Sequence, residues 1–154
     1  MALEQIRDVE LLGDGVVFQY LVFSLQLEGA TKRIARASNY ISSGVDSEEA
    51  LIRWTRQDLE DAGFLEAGGE FTVQGGGSLA RNPYYGTLTL FGKNTAYGAD
   101  PDRESLAQTF KAAFPDYEVA WFGPDVAPPP KRRPRVKRRR PAKRRRPLKR
   151  RRAK

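Results

Sequence analysis

The last 27 residues, Pro128 to Lys154, hold 17 lysines and arginines and no acid, and this confines folding to the 127 residues before them. Cations at that density repel one another and bury almost nothing, so the segment is expected to be disordered on its own. It opens with a stiff Pro128-Pro129-Pro130 break and continues as a short repeat, PRVKRRR, PAKRRR and PLKRRR. All 19 acids lie in residues 1–127 with the other ten bases, so the net +8 divides into −9 on the body and +17 on the tail. Such asymmetry marks a basic arm on an acidic domain.

The body, residues 1–127, has the length of one domain and can bury an adequate core without disulfides. The chain has no cysteine and no histidine. That excludes a disulfide framework, a thiol nucleophile, a Cys/His metal site and the commonest general base. The Asp and Glu residues show no metal-ligand spacing, and no cofactor or metal is expected. MALEQIRDVELL lacks the basic-then-apolar layout of a signal peptide, and no apolar run approaches the ~18 residues that span a bilayer. The expectation is an intracellular protein with no membrane partner.

Residues 15–28, GVVFQYLVFSLQLE, are rich in β-branched and aromatic types and read as a long strand partly buried on both faces. A turn at Gly29-Ala30 leads into a more polar strand, Thr31 to Ser38, placed near an edge. Residues 46–62 read as a helix, capped by Asp46 or Ser47, with Leu51, Trp54, Leu59 and Ala62 on its buried face and Gly63 ending it left-handed. Phe64 to Gln74 reads as a strand pair around Gly68-Gly69, Gly75-Gly76-Gly77 as a turn, and residues 86–92 as a strand. Asp100-Pro101 reads as the capped start of a second helix, with Leu106, Phe110, Ala113 and Phe114 buried and Pro115 as its stop. Residues 117–122 make a last strand. The expected class is α/β of α+β type: a mixed sheet flanked by two helices, followed by a disordered basic tail.

The tail carries the strongest functional signal. Its cations condense onto phosphate and release counterions. The residues expected to bind nucleic acid are Lys137, Arg138, Arg139, Arg140, Lys143, Arg144, Arg145, Arg146, Lys149, Arg150, Arg151 and Arg152. Proline in each repeat forbids a continuous helix in the major groove, and the tail has no aromatic for stacking and no Asn or Gln for base edges. DNA or RNA is therefore expected to be held by its backbone, without sequence preference. A nuclear-import signal is the other reading, and both can hold. In a eukaryotic or viral setting, the protein is placed in the nucleus or on nucleic acid.

In the body, Gly86 and Gly92-Lys93-Asn94 fail the GxxxxGK[ST] pattern, and no GxSxG elbow exists. Glu48 and Glu49 fit the first turn of a helix better than catalysis. Residues 94–98 follow a strand, where backbone N–H groups can form an anion nest.

Several segments together resemble the Janus/Ocnus family, whose known enzyme is a phosphohistidine phosphatase. They are Asp8-Val9 with Gly15-Val16-Val17-Phe18-Gln19-Tyr20; Lys32-Arg33-Ile34-Ala35-Arg36; Gly75-Gly76-Gly77; Ala96-Tyr97-Gly98; and Phe114-Pro115-Asp116-Tyr117-Glu118-Val119-Ala120-Trp121. The resemblance spans residues 8–122 and implies a mixed sheet with flanking helices. It also implies a phosphate pocket, for which Arg36 and the Asn94–Gly98 backbone loop, including Ala96, are what matches. The family's catalytic histidine falls between Gly44 and Glu48, where this chain has none. Its strand lysine is Gln19 here, the arginine after the triple glycine is Ser78, and a serine of the loop is Asn94. What the resemblance implies is therefore a non-catalytic relative, with a phosphorylated protein or another anion as candidate partner of the pocket. The alternative is a divergent phosphatase with Glu48 or Asp46 as base.

Overall fold

Strict alternation along one long strand organises the body. The structure, a computed structural model, describes residues 2–39 and 48–126. The expected caps Asp46 and Ser47 and the tail cations lie outside the described residues. Strands β1 (Val9–Leu12), β2 (Val17–Leu27), β3 (Ala30–Ser38), β4 (Glu70–Asn82), β5 (Thr87–Phe91) and β6 (Glu118–Trp121) form one sheet in the order β1-β3-β2-β4-β5-β6. Helix α1 is Glu48–Asp61 and helix α2 is Arg103–Ala113. β1 runs parallel to β3 and β6 parallel to β5, while the inner pairings are antiparallel. The expected mixed sheet with two helices is the architecture found.

β2 sits at the centre and is buried on both faces. Phe18, Tyr20 and Val22 join Val9, Ala35, Ala37, Leu79, Leu88 and Leu90 beneath Leu106, Ala107 and Phe110 of α2. Leu21, Phe23, Leu25 and Leu27 join Ile34 and Phe64 beneath Leu51 and Leu59 of α1. Because successive side chains alternate sides, the two helices cover opposite faces of the sheet. β2 and β3 are joined by Glu28-Gly29, both at positive φ (52° and 80°), the backbone signature of a type I′ hairpin turn.

α1 ends as Gly63 dictates. Phe64 N–H bonds Leu59 C=O at 3.0 Å and Gly63 N–H bonds Glu60 C=O at 2.9 Å, with Gly63 at φ 80°. This is the Schellman pairing, and its accompanying apolar contact is present because Phe64 and Leu59 belong to one cluster.

Five local expectations are corrected. Gly75–Gly77 lie inside β4, where Gln74 is the extra residue of a bulge between the pairs Val22–Gly75 and Phe23–Val73. Residues 64–68 are turns, and the strand begins at Glu70. β3 is an inner strand, because the short β1 pairs along its outer side. α2 is capped by Asp102, which accepts Ser105 N–H at 3.1 Å, because the carboxylate of Asp100 is taken up in the core. Ala62 and Ala113 are exposed, Ala107 fills the helix stripe in place of Ala113, and Trp54 is half-buried against the α1-side cluster.

Gly63→Ala is expected to lower stability by about 1–2 kcal/mol, the cost of a Cβ in the left-handed region. The urea midpoint is expected to fall without a change of slope. An unchanged midpoint would show that the chain reversal after α1 does not depend on this conformation.

Candidate functional site

A row of polar side chains crosses the α1 face of the sheet at one end of β2. Gln19 is in register with Ser38 of β3 and with Ser78 of β4, so all three project to the same side. Gln19 Nε2 donates to Ser78 Oγ at 2.9 Å. Ser38 is fully buried, and its hydroxyl has no hydrogen-bond partner among the described residues. The two positions where the resembled family carries lysine and arginine thus hold a neutral amide and a hydroxyl bonded to each other.

The loop after β5 closes this end. Asn94 is buried, its N–H pointing to Gly76 C=O (3.1 Å) and Gly98 C=O (3.3 Å), while Gly98 N–H returns to Asn94 C=O at 2.9 Å. Asn94 Oδ1 accepts both Ala96 N–H and Tyr97 N–H at 2.9 Å, and its Nδ2 lies 3.3 Å from Glu48 Oε1 at the start of α1. Ala96 is exposed, but its N–H is turned inward onto this amide oxygen. Two of the backbone donors of the 94–98 bend, the expected anion nest, are therefore occupied by the chain itself.

Arg36 does not join this group. Its side chain is fully buried on the α1 face, with Nη1 donating to Arg7 C=O (3.0 Å) and Ala35 C=O (2.9 Å). Glu10 Oε2 lies 3.7 Å from Nε, and Asp58 Oδ2 lies 3.5 Å from Nη2. Burial pulls the guanidinium pKa down, and Glu10 and Asp58 pull it back up. A cation already matched by two carboxylates ties β1, β3 and α1 together and has little field left for a ligand. Arg36 and Asn94 share no partner; Ala96 and Asn94 are brought together.

Behind the row, on the α2 face, lies a second buried network that sequence reasoning missed. Tyr20 Oη donates to Asp100 Oδ1 at 2.8 Å, and Arg103 donates to the same oxygen from Nη2 (2.8 Å) and Nε (3.2 Å). Arg103 also satisfies Gly92 C=O (2.6 Å) and Phe122 C=O (2.8 Å) where β5 and β6 end. Gly77 makes room for it: a Cβ there would lie 2.7 Å from Phe91 C=O and 2.9 Å from Tyr20 Oη. Burial, then the adjacent Asp100 charge, push the Tyr20 pKa far above its ordinary value of 10.0. The spacing of Asp100 and Arg103 at i and i+3 was the available signal; nothing local marked Tyr20.

Among the described residues, no group of three or more acidic side chains is placed to hold a metal ion, and no helix is long and apolar enough to cross a membrane. Among the described residues, what Gln19, Ser78 and Asn94 offer chemically is neutral hydrogen bonding beside the Glu48 carboxylate.

Tyr20 must stay protonated in the folded state, so its contribution is complete below pH 10 and is lost as pH rises and the unfolded chain ionises. Tyr20→Phe is expected to cost about 1–3 kcal/mol at pH 7 by taking a donor from buried Asp100. Above about pH 10 it should also reduce the alkaline loss of stability by about 1.4 kcal/mol per pH unit. Urea unfolding at several pH values measures both; an unchanged alkaline slope would show that Tyr20 ionises in place.

No protein-family model matches the chain, and no curated protein matches it.

Proposed function

We propose that this protein binds nucleic acid without sequence preference through its basic segment 128–154, and that its folded body is a non-catalytic relative of the phosphohistidine phosphatases. The observation that carries the first half is the charge partition: 17 cations and no acid in 27 residues, beside a body of opposite charge. A body at −9 repels phosphate, so affinity must come from the tail. In a nucleated cell the same KRRR repeats would also serve nuclear import.

The second half is supported by what stands at the polar row. Gln19 and Ser78 are neutral and bond each other, and Asn94 occupies the Ala96 and Tyr97 donors. The chain has no histidine. Loss of a general base alone forfeits about 10²–10⁴ in rate, before the missing cations are counted. A divergent phosphohistidine or phosphoramidate phosphatase, localised by the tail, is the second reading. One contact favours it: Glu48 Oε1, 3.3 Å from Asn94 Nδ2, sets a carboxylate beside the loop.

With roughly half the tail cations engaged, about eight phosphates are neutralised, and log K against log salt on duplex DNA is expected to fall with a slope near −7. Deleting Pro141 to Lys154 removes nine of the 17 cations, and the slope is expected to fall by about half. Binding that survives high salt, or that persists without the tail, would overturn this reading. The purified chain is expected not to turn over a phosphohistidine peptide. Robust turnover that is lost in Glu48→Gln would establish the second reading instead.

A further inference from the structure

The edge of the sheet where the described chain ends carries an open cleft with one tryptophan in its lining. α2 lies alongside β6 in the opposite direction. At its start Arg103 reaches Phe122 C=O at 2.8 Å, and at its end Lys111 reaches Tyr117 C=O at 2.6 Å and Pro115 C=O at 3.3 Å. Between helix and strand runs an open cleft of about 360 Å³ with Ala107 and Val119 among its lining residues. Glu104, next to Arg103, and Trp121 line its upper end. Trp121 is 45% exposed on a strand with no neighbour on its outer side among the described residues. Lys111 also lines the cleft, but its ammonium is committed to the two carbonyls at the lower end.

An open tryptophan face beside a carboxylate has the chemistry of a cation receptor. The ring quadrupole attracts a guanidinium over its face, and the carboxylate accepts the guanidinium N–H groups. We propose that this α2–β6 cleft is a docking site for the protein's own basic tail, with an arginine lying on Trp121 against Glu104. Three facts single out the tail as occupant. The charges are complementary, −9 on the body against +17 on the tail. The described chain ends at Val126, five residues beyond Trp121, after a turn in which Val126 N–H bonds Gly123 C=O at 3.2 Å. Four residues separate Val126 from Lys131, and four residues can bridge at most about 12 Å at ~3.1 Å each, so Lys131, Arg132 and Arg133 are the cations nearest the cleft along the chain.

Docking in cis has a consequence for the tail. Short tethering gives a high effective concentration, so the contact holds at low salt, and phosphate must compete with it for the same cations. The inference rests on the cleft and the tail charge and does not require the nucleic-acid reading.

The test uses the full chain with Trp54→Phe, which leaves Trp121 as its sole tryptophan, and measures quenching by neutral acrylamide. Between about 20 mM and 500 mM salt the Debye length shrinks from about 20 Å to about 4 Å, and the quenching constant is expected to rise about twofold as the tail leaves the ring. Adding Glu104→Gln is expected to give the higher constant at all salt concentrations. The same substitution is expected to tighten duplex DNA binding about two- to fivefold at low salt, by freeing the tail. A quenching constant independent of salt, or the same salt response in the Glu104→Gln chain, overturns the proposal. A salt response that grows with protein concentration also overturns it, by assigning the cleft to another copy's tail. If Trp54→Phe does not fold, fluorine NMR of the fluorotryptophan-labelled native chain reads Trp121 directly. A steep salt slope for DNA with an unchanging Trp121 would end the docking proposal and leave the nucleic-acid reading standing.

Discussion

The carboxylate of Asp100, sealed between Tyr20 and Arg103, is the interaction on which the body's geometry depends. A charge in that interior is tolerable only if it is paired and hydrogen-bonded. Its partners come from the central strand and from the first residue of α2, so satisfying it fixes where the helix sits on the sheet. The spare N–H groups of Arg103 take the carbonyls of Gly92 and Phe122. They thereby set the ends of β5 and β6, the start of the 93–99 loop and the exit of the chain toward its tail. Gly77 is the sequence's concession to this arrangement, because any side chain there would strike the tyrosine hydroxyl and the Phe91 carbonyl.

The opposite face is organised by another buried charge with a different outcome. Arg36 is matched by Glu10 and Asp58 and acts as a tie between β1, β3 and α1. With that cation paired, the row beside α1 consists of Gln19, Ser38 and Ser78, all neutral. Asn94 then fills its own loop with an amide oxygen, where an anion would otherwise find two N–H groups. The body is thus poor in the electrostatics that phosphate chemistry needs, while the tail holds 17 of the chain's 27 cations. The division of labour proposed between folded body and basic arm rests on this partition of charge.

Much of this was legible in the sequence where the signal is local. The β-branched and aromatic content of residues 15–28 announced a long strand partly buried on both faces, and Gly63 announced the end of α1 with its left-handed turn. Three of the misreadings share a cause, because each concerns residues whose partner is remote in sequence. The triple glycine looks like a turn until Tyr20, Ala99 and Arg103 are brought against it. Asp100 looks like a helix cap until Tyr20, eighty positions earlier, claims it. β3 looks like an edge because Arg33 and Arg36 are polar, yet Arg36 is among the most deeply buried side chains. Asn94 was singled out by position, but that its oxygen would close the loop on Ala96 and Tyr97 is a matter of geometry.

The claim that phosphate is taken by the arm and refused by the body can be tested by one titration. The isotopically labelled full chain is followed by NMR as a short DNA duplex is added at low salt. The account predicts that changes fall on residues beyond Val126 and on the α2–β6 cleft, while the backbone amides of Ala96 and Tyr97 and the side-chain amide of Gln19 stay fixed. Saturable shifts at those three groups would contradict it, because they would show that the loop opens and that the folded body itself holds phosphate.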